Sequence, residues 1–324
     1  MSILFITSNP LGDAILSSGA IPWLARKFPG EKIVVVCSSV SAPLFRAMPE
    51  VEDVWPMKKL PRGGHWWQLW RRAAGRRWRY ILDLRGSALA YCLWSGGRKV
   101  TPSPDSRLRH RILHLTETLG ETDTVSPRLC IGAADIADAE ARLGAPGQRL
   151  LFIGPTARWM GKVWPAERYA DLVRVLTGPD GILAGAKVVI AGAPGEENMA
   201  EPIVHSLPDG QAILAIGWPL LTVAAAISQA DIYIGNDTGL MHLSAAVGTP
   251  TLGLFGPSRA EHYAPWGKIT SFVRSEVPYE TIAATPGFPD PACGSLLADI
   301  PVDKVVDAAS ALLQKRDEFA GKDE

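Results

Sequence analysis

A chain of 324 residues with 47% hydrophobic side chains can bury more than one core, and its length suits two domains. Its 33 basic and 33 acidic residues cancel, which removes any whole-molecule pull toward nucleic acid or membrane and leaves only a local one. No secretory leader pattern opens the chain, no run reaches the ~18 apolar residues of a membrane span, and Cys37, Cys92, Cys130 and Cys293 never form C-x-x-C, so the expectation is a cytoplasmic protein with reduced thiols.

Short β-rich runs alternate with helical patterns. The first run, 3–8, leads into "NPLGDA", placing Asp13 where a helix begins. A carboxylate there either suits the helix dipole, at ~0.3–1 kcal/mol, or accepts a proton from a bound hydroxyl. Further runs follow at 32–39 and 80–86. Residues 58–114 hold fourteen Lys or Arg against Asp83 and Asp105, with six tryptophans in or beside them. Within "GGHWWQLWRRAAGRRWRY", Trp67, Trp70 and Trp78 read as one helical stripe among arginines. Such a pairing suits an interface of anionic headgroups and apolar chains, or a core-facing stripe with a solvated basic face. Nucleic acid is not expected as a partner, because no RNA- or DNA-binding pattern accompanies the charges.

After a helical pattern at 133–144 the alternation restarts, with runs at 150–156, 187–192, 231–237 and 251–256. Continuous apolar runs suit parallel strands covered on both faces. The predicted class is therefore α/β, with doubly wound domains at 1–146 and 147–324 and a ligand cleft at the carboxyl ends of their strands. The last helical pattern, 302–319, caps the core or crosses back to the first domain, and "AGKDE" reads as a frayed tail.

The second half supplies the polar candidates. "LLFIGPT" ends in Thr156, and "ARWMGKVWPAERY" offers Arg158 and Lys162 before a helix that Pro165 can start. "APGEEN" puts Glu196 and Glu197 at another helix start, where acids suit the dipole or meet ribose hydroxyls. In "IGNDTGLMHLSAA", Asp237, Thr238 and Gly239 mark a strand-to-helix turn whose N–H groups form an anion cradle, or where Asp237 or Thr238 simply caps the helix. His242 follows among small apolar residues, which favours packing over catalysis. Neither G-x-G-x-x-G after a strand nor a P-loop occurs, and no metal-ligand motif is expected.

Together these stretches resemble glycosyltransferase family 9, the lipopolysaccharide heptosyltransferases. The likeness runs through "LGDAILSSGAIPWLARKFPG", "DLRGSALA", "HRILHLTETLG", "GKVWPAERYADL", "NDTGLMHLSAAVGTPTLGLFGPS" and "CGSLLADIPVDKV". It implies a GT-B fold of two facing Rossmann-like domains and inverting transfer of a sugar, typically heptose from ADP-heptose, without cofactor or metal. The acceptor implied is a lipopolysaccharide core or related anionic glycolipid, reached at the cytoplasmic face of the inner membrane by a peripherally bound enzyme. Carried over by position, Asp13 matches the general base and Lys162 the residue meeting donor phosphates. Thr156, Arg158, Asp237, Thr238, Gly239 and His242 fall to the donor, with Glu196 or Glu197 at the ribose. Gly12, Arg62, Arg85, Arg107 and Arg109 fall to the acceptor. Arg85 stands where the family usually has Gln or His, which leaves the acceptor open. The rival readings are a nucleotide-sugar epimerase of the same fold and a non-catalytic protein binding anions or a membrane surface.

Overall fold

The computed structural model describes every residue except 8, 102–106, 145–146, 291 and 322–324, so Asp105 and the boundary expected at 146 lie outside the described residues. The chain divides into two compact units, Met1–Cys130 and Ile131–Glu324. The first holds strands β1 (Ser2–Ile6), β2 (Lys32–Cys37), β3 (Val51–Pro56), β4 (Trp78–Asp83) and β5 (Arg98–Val100), all parallel, in the order β3-β2-β1-β4-β5. The second holds β6 (Leu150–Gly154), β7 (Lys187–Gly192), β8 (Ala212–Ile216), β9 (Ile232–Asn236), β10 (Thr251–Phe255) and β11 (Thr270–Arg274). Its order is β11-β10-β9-β6-β7-β8, again parallel throughout. Each sheet begins on an inner strand, grows to one side and then crosses over. The order therefore reverses between β1 and β4 and between β6 and β9.

Burial explains the parallel sheets. Every residue of β6, β9 and β10 is buried, as helices on both faces require. In the second unit Leu151, Ile153, Ile190 and Ile234 pack with Leu172 and Leu176 of helix Ala166–Thr177. Each such side chain contributes about 1.5–3 kcal/mol relative to exposure. Gly154, Gly235 and Gly253 stand side by side across β6, β9 and β10. A Cβ on Gly154 or Gly235 would overlap the Tyr233 hydroxyl, and one on Gly253 the Met241 sulfur. The glycine row thus lets two buried side chains lie flat on the sheet near its carboxyl end.

Two expectations change. Helix Ala133–Leu143, read as closing the first domain, packs on helix Leu220–Ile227, and Thr222 Oγ1 donates to Asp138 Oδ2 at 2.9 Å. It belongs to the second unit, so the division falls after Cys130 and not after 146. Helix Val302–Ala320 buries Val305, Ala309 and Leu312 in the second unit's core, as the core-capping alternative has it. The tryptophan stripe also breaks up: Trp78 opens β4 and is buried, while helix Gly64–Ala73 buries His65, Leu69 and Ala73 and turns Trp67 and Trp70 outward. No helix among the described residues is long and apolar enough to cross a membrane.

Candidate active site

In a doubly wound sheet, ligands bind beyond the carboxyl ends of the strands where the order reverses. For the second unit those strands are β6 and β9, and one residue joins their loops. Asn236, the buried last residue of β9, accepts at Oδ1 from the Trp164 backbone N–H (3.2 Å) and the Tyr169 hydroxyl (3.0 Å). Its Nδ2 donates to the Pro155 carbonyl at 2.8 Å. Trp164 is itself buried, its indole donating to the Ile300 carbonyl at 3.0 Å. The segment carrying Lys162 is held at both ends by these bonds.

Lys162 Nζ donates to Asp237 Oδ2 at 2.6 Å and lies 3.4 Å from the Asp237 carbonyl oxygen. Ser258 Oγ donates to the same Oδ2 at 2.6 Å. Asp237 is only 6% exposed, so this cation and hydroxyl meet a charge that burial would otherwise penalise. An ammonium has three donors, and Asp237 engages at most two. Buried His242 flanks the carboxylate, with Nε2 3.9 Å from Asp237 Oδ1, an ion pair only when the ring is protonated. It is buried beside the site.

Thr238 occupies the N-cap position of helix Gly239–Val247 but makes no side-chain capping bond. Its hydroxyl and that of buried Tyr233 have no hydrogen-bond partner among the described residues. The helix's first N–H groups therefore keep their capacity for an anion, and Gly239 opens that turn. Burial raises the Tyr233 phenol. Thr156 is buried against Gly192 at the end of β7, and Arg158 is exposed. Glu196 Oε2 accepts from the Ala193 N–H at 2.8 Å, and Glu197 Oε1 from the Gly195 N–H at 3.2 Å. Each carboxylate closes its own turn and keeps one oxygen outside that bond.

The first unit repeats the arrangement at β1 and β4. Gly12 and Asp13 lie half-buried in the first turn of helix Leu11–Leu16, just beyond β1. At the end of β4, buried Asp83 accepts from the Arg85 N–H (2.8 Å), the Ser87 N–H (3.0 Å) and the Ser87 hydroxyl. Burial raises the Asp83 carboxyl while those donors oppose the rise. Arg85 stacks 4.6 Å from the Trp66 ring centre and donates to Asn9 Oδ1 at 3.3 Å, tying the two loops together. Burial lowers its guanidinium, against the attraction of Asp83. The other acceptor candidates stand differently. Arg62 is exposed on a 3-10 turn with φ of 52°, while Arg107 and Arg109 both pair with Glu117 and Arg109 also lies 2.7 Å from His114 Nδ1.

Asn236, Ser258, Trp164 and Tyr233 escaped the sequence reading as site residues, although the first two stand inside the "NDTG" to "GPS" stretch that drew attention. The signal available was the polar Asn236 ending an otherwise apolar strand, a position that demands partners once buried.

The profile of glycosyltransferase family 9 (heptosyltransferase) matches residues 73–284, well over half of the chain. The chain is similar to lipooligosaccharide heptosyltransferase 2 of Haemophilus influenzae, at 23% identity over 97% of this chain and 100% of that one. Among solved structures it superposes on a family 9 glycosyl transferase from Veillonella parvula with a TM-score of 0.80, at 21% identity over 97% of each chain. It superposes on the E. coli ADP-heptose LPS heptosyltransferase II with a TM-score of 0.77, at 21% identity over 98% of this chain and 100% of that one. These likenesses show the GT-B fold. With the profile spanning Lys162 and the Asp237–Thr238–Gly239 turn, the chain belongs to glycosyltransferase family 9 and is a glycosyltransferase.

Proposed function

We propose that the protein transfers heptose from ADP-heptose to an anionic glycolipid of the lipopolysaccharide core, inverting the anomeric carbon, at the cytoplasmic face of the inner membrane. The observation that carries the donor assignment is the Lys162–Asp237 pair beside an uncapped helix N-terminus. A diphosphate there meets an ammonium donor and backbone N–H groups. The name of a solved relative, ADP-heptose LPS heptosyltransferase II, supports this choice of nucleotide and sugar.

In this reading an acceptor hydroxyl gives its proton to the Asp13 carboxylate as its oxygen bonds to the anomeric carbon. The bond from that carbon to the β-phosphate oxygen breaks on the opposite face, and ADP leaves with the electron pair. Lys162 and the Gly239 turn stabilise the negative charge that grows on the leaving phosphate, so no metal ion is required. Arg85 recognises the acceptor's acidic group, with Gly12 allowing its approach. Arg62, Arg107 and Arg109 lend longer-range attraction. Glu196, in preference to Glu197, meets the ribose, while Thr156 and Arg158 border the nucleotide.

The test is Asp13→Ala. Turnover should fall by about a hundredfold or more while ADP binding stays near wild type. Wild-type turnover in that variant would refute the base assignment.

A further inference from the structure

Between residues 58 and 100 the first unit carries eleven Lys or Arg and one acid, the buried Asp83, although the whole chain is neutral. Helix Gly64–Ala73 and the 3-10 turn Ala88–Tyr91 cover one face of the first sheet. Leu69 and Ala73 from the helix and Leu89 and Ala90 from the turn share a core with Leu4, Val34 and Trp78. The two elements adjoin through Trp78, whose backbone N–H donates to the Trp94 carbonyl at 3.0 Å and whose indole donates to the Ala73 carbonyl at 3.1 Å.

A covering element ordinarily shows water its polar side chains. Here the outer side shows large rings: Trp67 is 55% exposed, Trp70 40%, Tyr91 66% and Trp94 71%. Three of them carry a guanidinium. Arg71 lies 4.6 Å from the Trp67 ring centre, Arg77 5.3 Å from Trp94 and Arg98 5.7 Å from Tyr91. Tryptophan and tyrosine favour the boundary between headgroups and acyl chains, and arginine beside them reaches lipid phosphates. One face of each of these three rings is already covered by a guanidinium, which disfavours nucleic-acid stacking as the use of this surface.

We propose that this face docks the protein on an anionic lipid bilayer, its rings entering the interface and Arg71 and Arg77 meeting lipid phosphates, while Arg98 donates to the Ala90 and Leu93 carbonyls at 2.9 and 3.4 Å and holds the turn in place. The docking surface goes beyond the transferase reading, and its test needs neither donor nor acceptor. The full chain is co-sedimented with vesicles of mixed phosphatidylglycerol and phosphatidylcholine, and with vesicles of phosphatidylcholine alone. Wild type should bind the mixed vesicles in a salt-sensitive manner and the neutral ones far less. Arg71→Ser/Arg77→Ser should weaken binding about twenty-five-fold, at about fivefold per arginine. Trp67→Ser/Trp70→Ser/Trp94→Ser should weaken it about tenfold or more and leave the residual binding salt-sensitive. Unchanged unfolding temperatures verify that both variants fold.

The proposal is overturned if wild type ignores the mixed vesicles or binds neutral ones equally, or if either variant binds as tightly as wild type. A change of oligomeric state in the tryptophan variant without vesicles would overturn it too, by making the face a protein interface.

Discussion

Lys162 and Asp237 come from loops 75 residues apart and make the shortest ion pair described in the second unit other than exposed Arg174–Asp171, which is equal at 2.6 Å. The exposed pair contributes little, whereas Asp237 is buried and depends on its partner. Lys162→Ala is therefore expected to weaken ADP binding about ten- to hundredfold, ~1.5–3 kcal/mol for a hydrogen bond to a charged group. Part of that loss could come from Asp237 left unpaired and repelling phosphate. Lys162→Ala/Asp237→Asn separates the two: calorimetry should still find ADP bound weakly. Recovery of wild-type affinity in the double variant would show that Lys162 serves Asp237 and not the nucleotide. Both residues were legible in the sequence, as a loop cation and an acid after a strand. Their pairing was not, because nothing in the local pattern reports that the β6 and β9 loops meet; the same holds for Asn236 and Trp164.

At the level of elements, the seven strands read from the sequence are the seven inner strands of the two sheets. The four missed, β3, β5, β8 and β11, are the four sheet edges. Inner parallel strands are buried on both faces and read as unbroken apolar runs. Three of the edges mix charge and small or polar residues: β3 is "VEDVWP", β5 "RKV" and β11 "TSFVR"; β8, "AILAI", is apolar yet mostly unburied, and its composition does not explain why it was missed. The helix at 64–73 was legible as a helix, but its buried face was not, since the larger tryptophans outweighed Leu69 and Ala73 in the pattern. The glycine row makes a further element-scale prediction. Gly154→Ala should destabilise the protein by about 1–3 kcal/mol, because the new methyl meets the fully buried Tyr233 ring and neither can move aside. Thermal unfolding checks it, and an unaltered melting temperature would mean the row has slack.

Across the whole molecule, two sheets built by the same crossover logic each place a polar link between the loops at their reversal: Asn9 to Arg85 in the first unit, Lys162 to Asp237 in the second. The restart of the strand pattern made this duplication readable from the sequence. The position of the division was harder to read, because helix Ala133–Leu143 precedes the second unit's first strand yet packs within that unit. Charge is distributed as unevenly as chemistry, with a basic, aromatic surface confined to the first unit of a chain that is neutral as a whole. Mass spectrometry after incubation with ADP-heptose, with and without a truncated lipopolysaccharide-core glycolipid, tests the central claim most directly. The account predicts that the glycolipid gains one heptose for each ADP released, and that the donor stays intact when the glycolipid is omitted. Conversion of the donor to an isomer without acceptor, or donor binding with no transfer across a panel of core glycolipids, would contradict it.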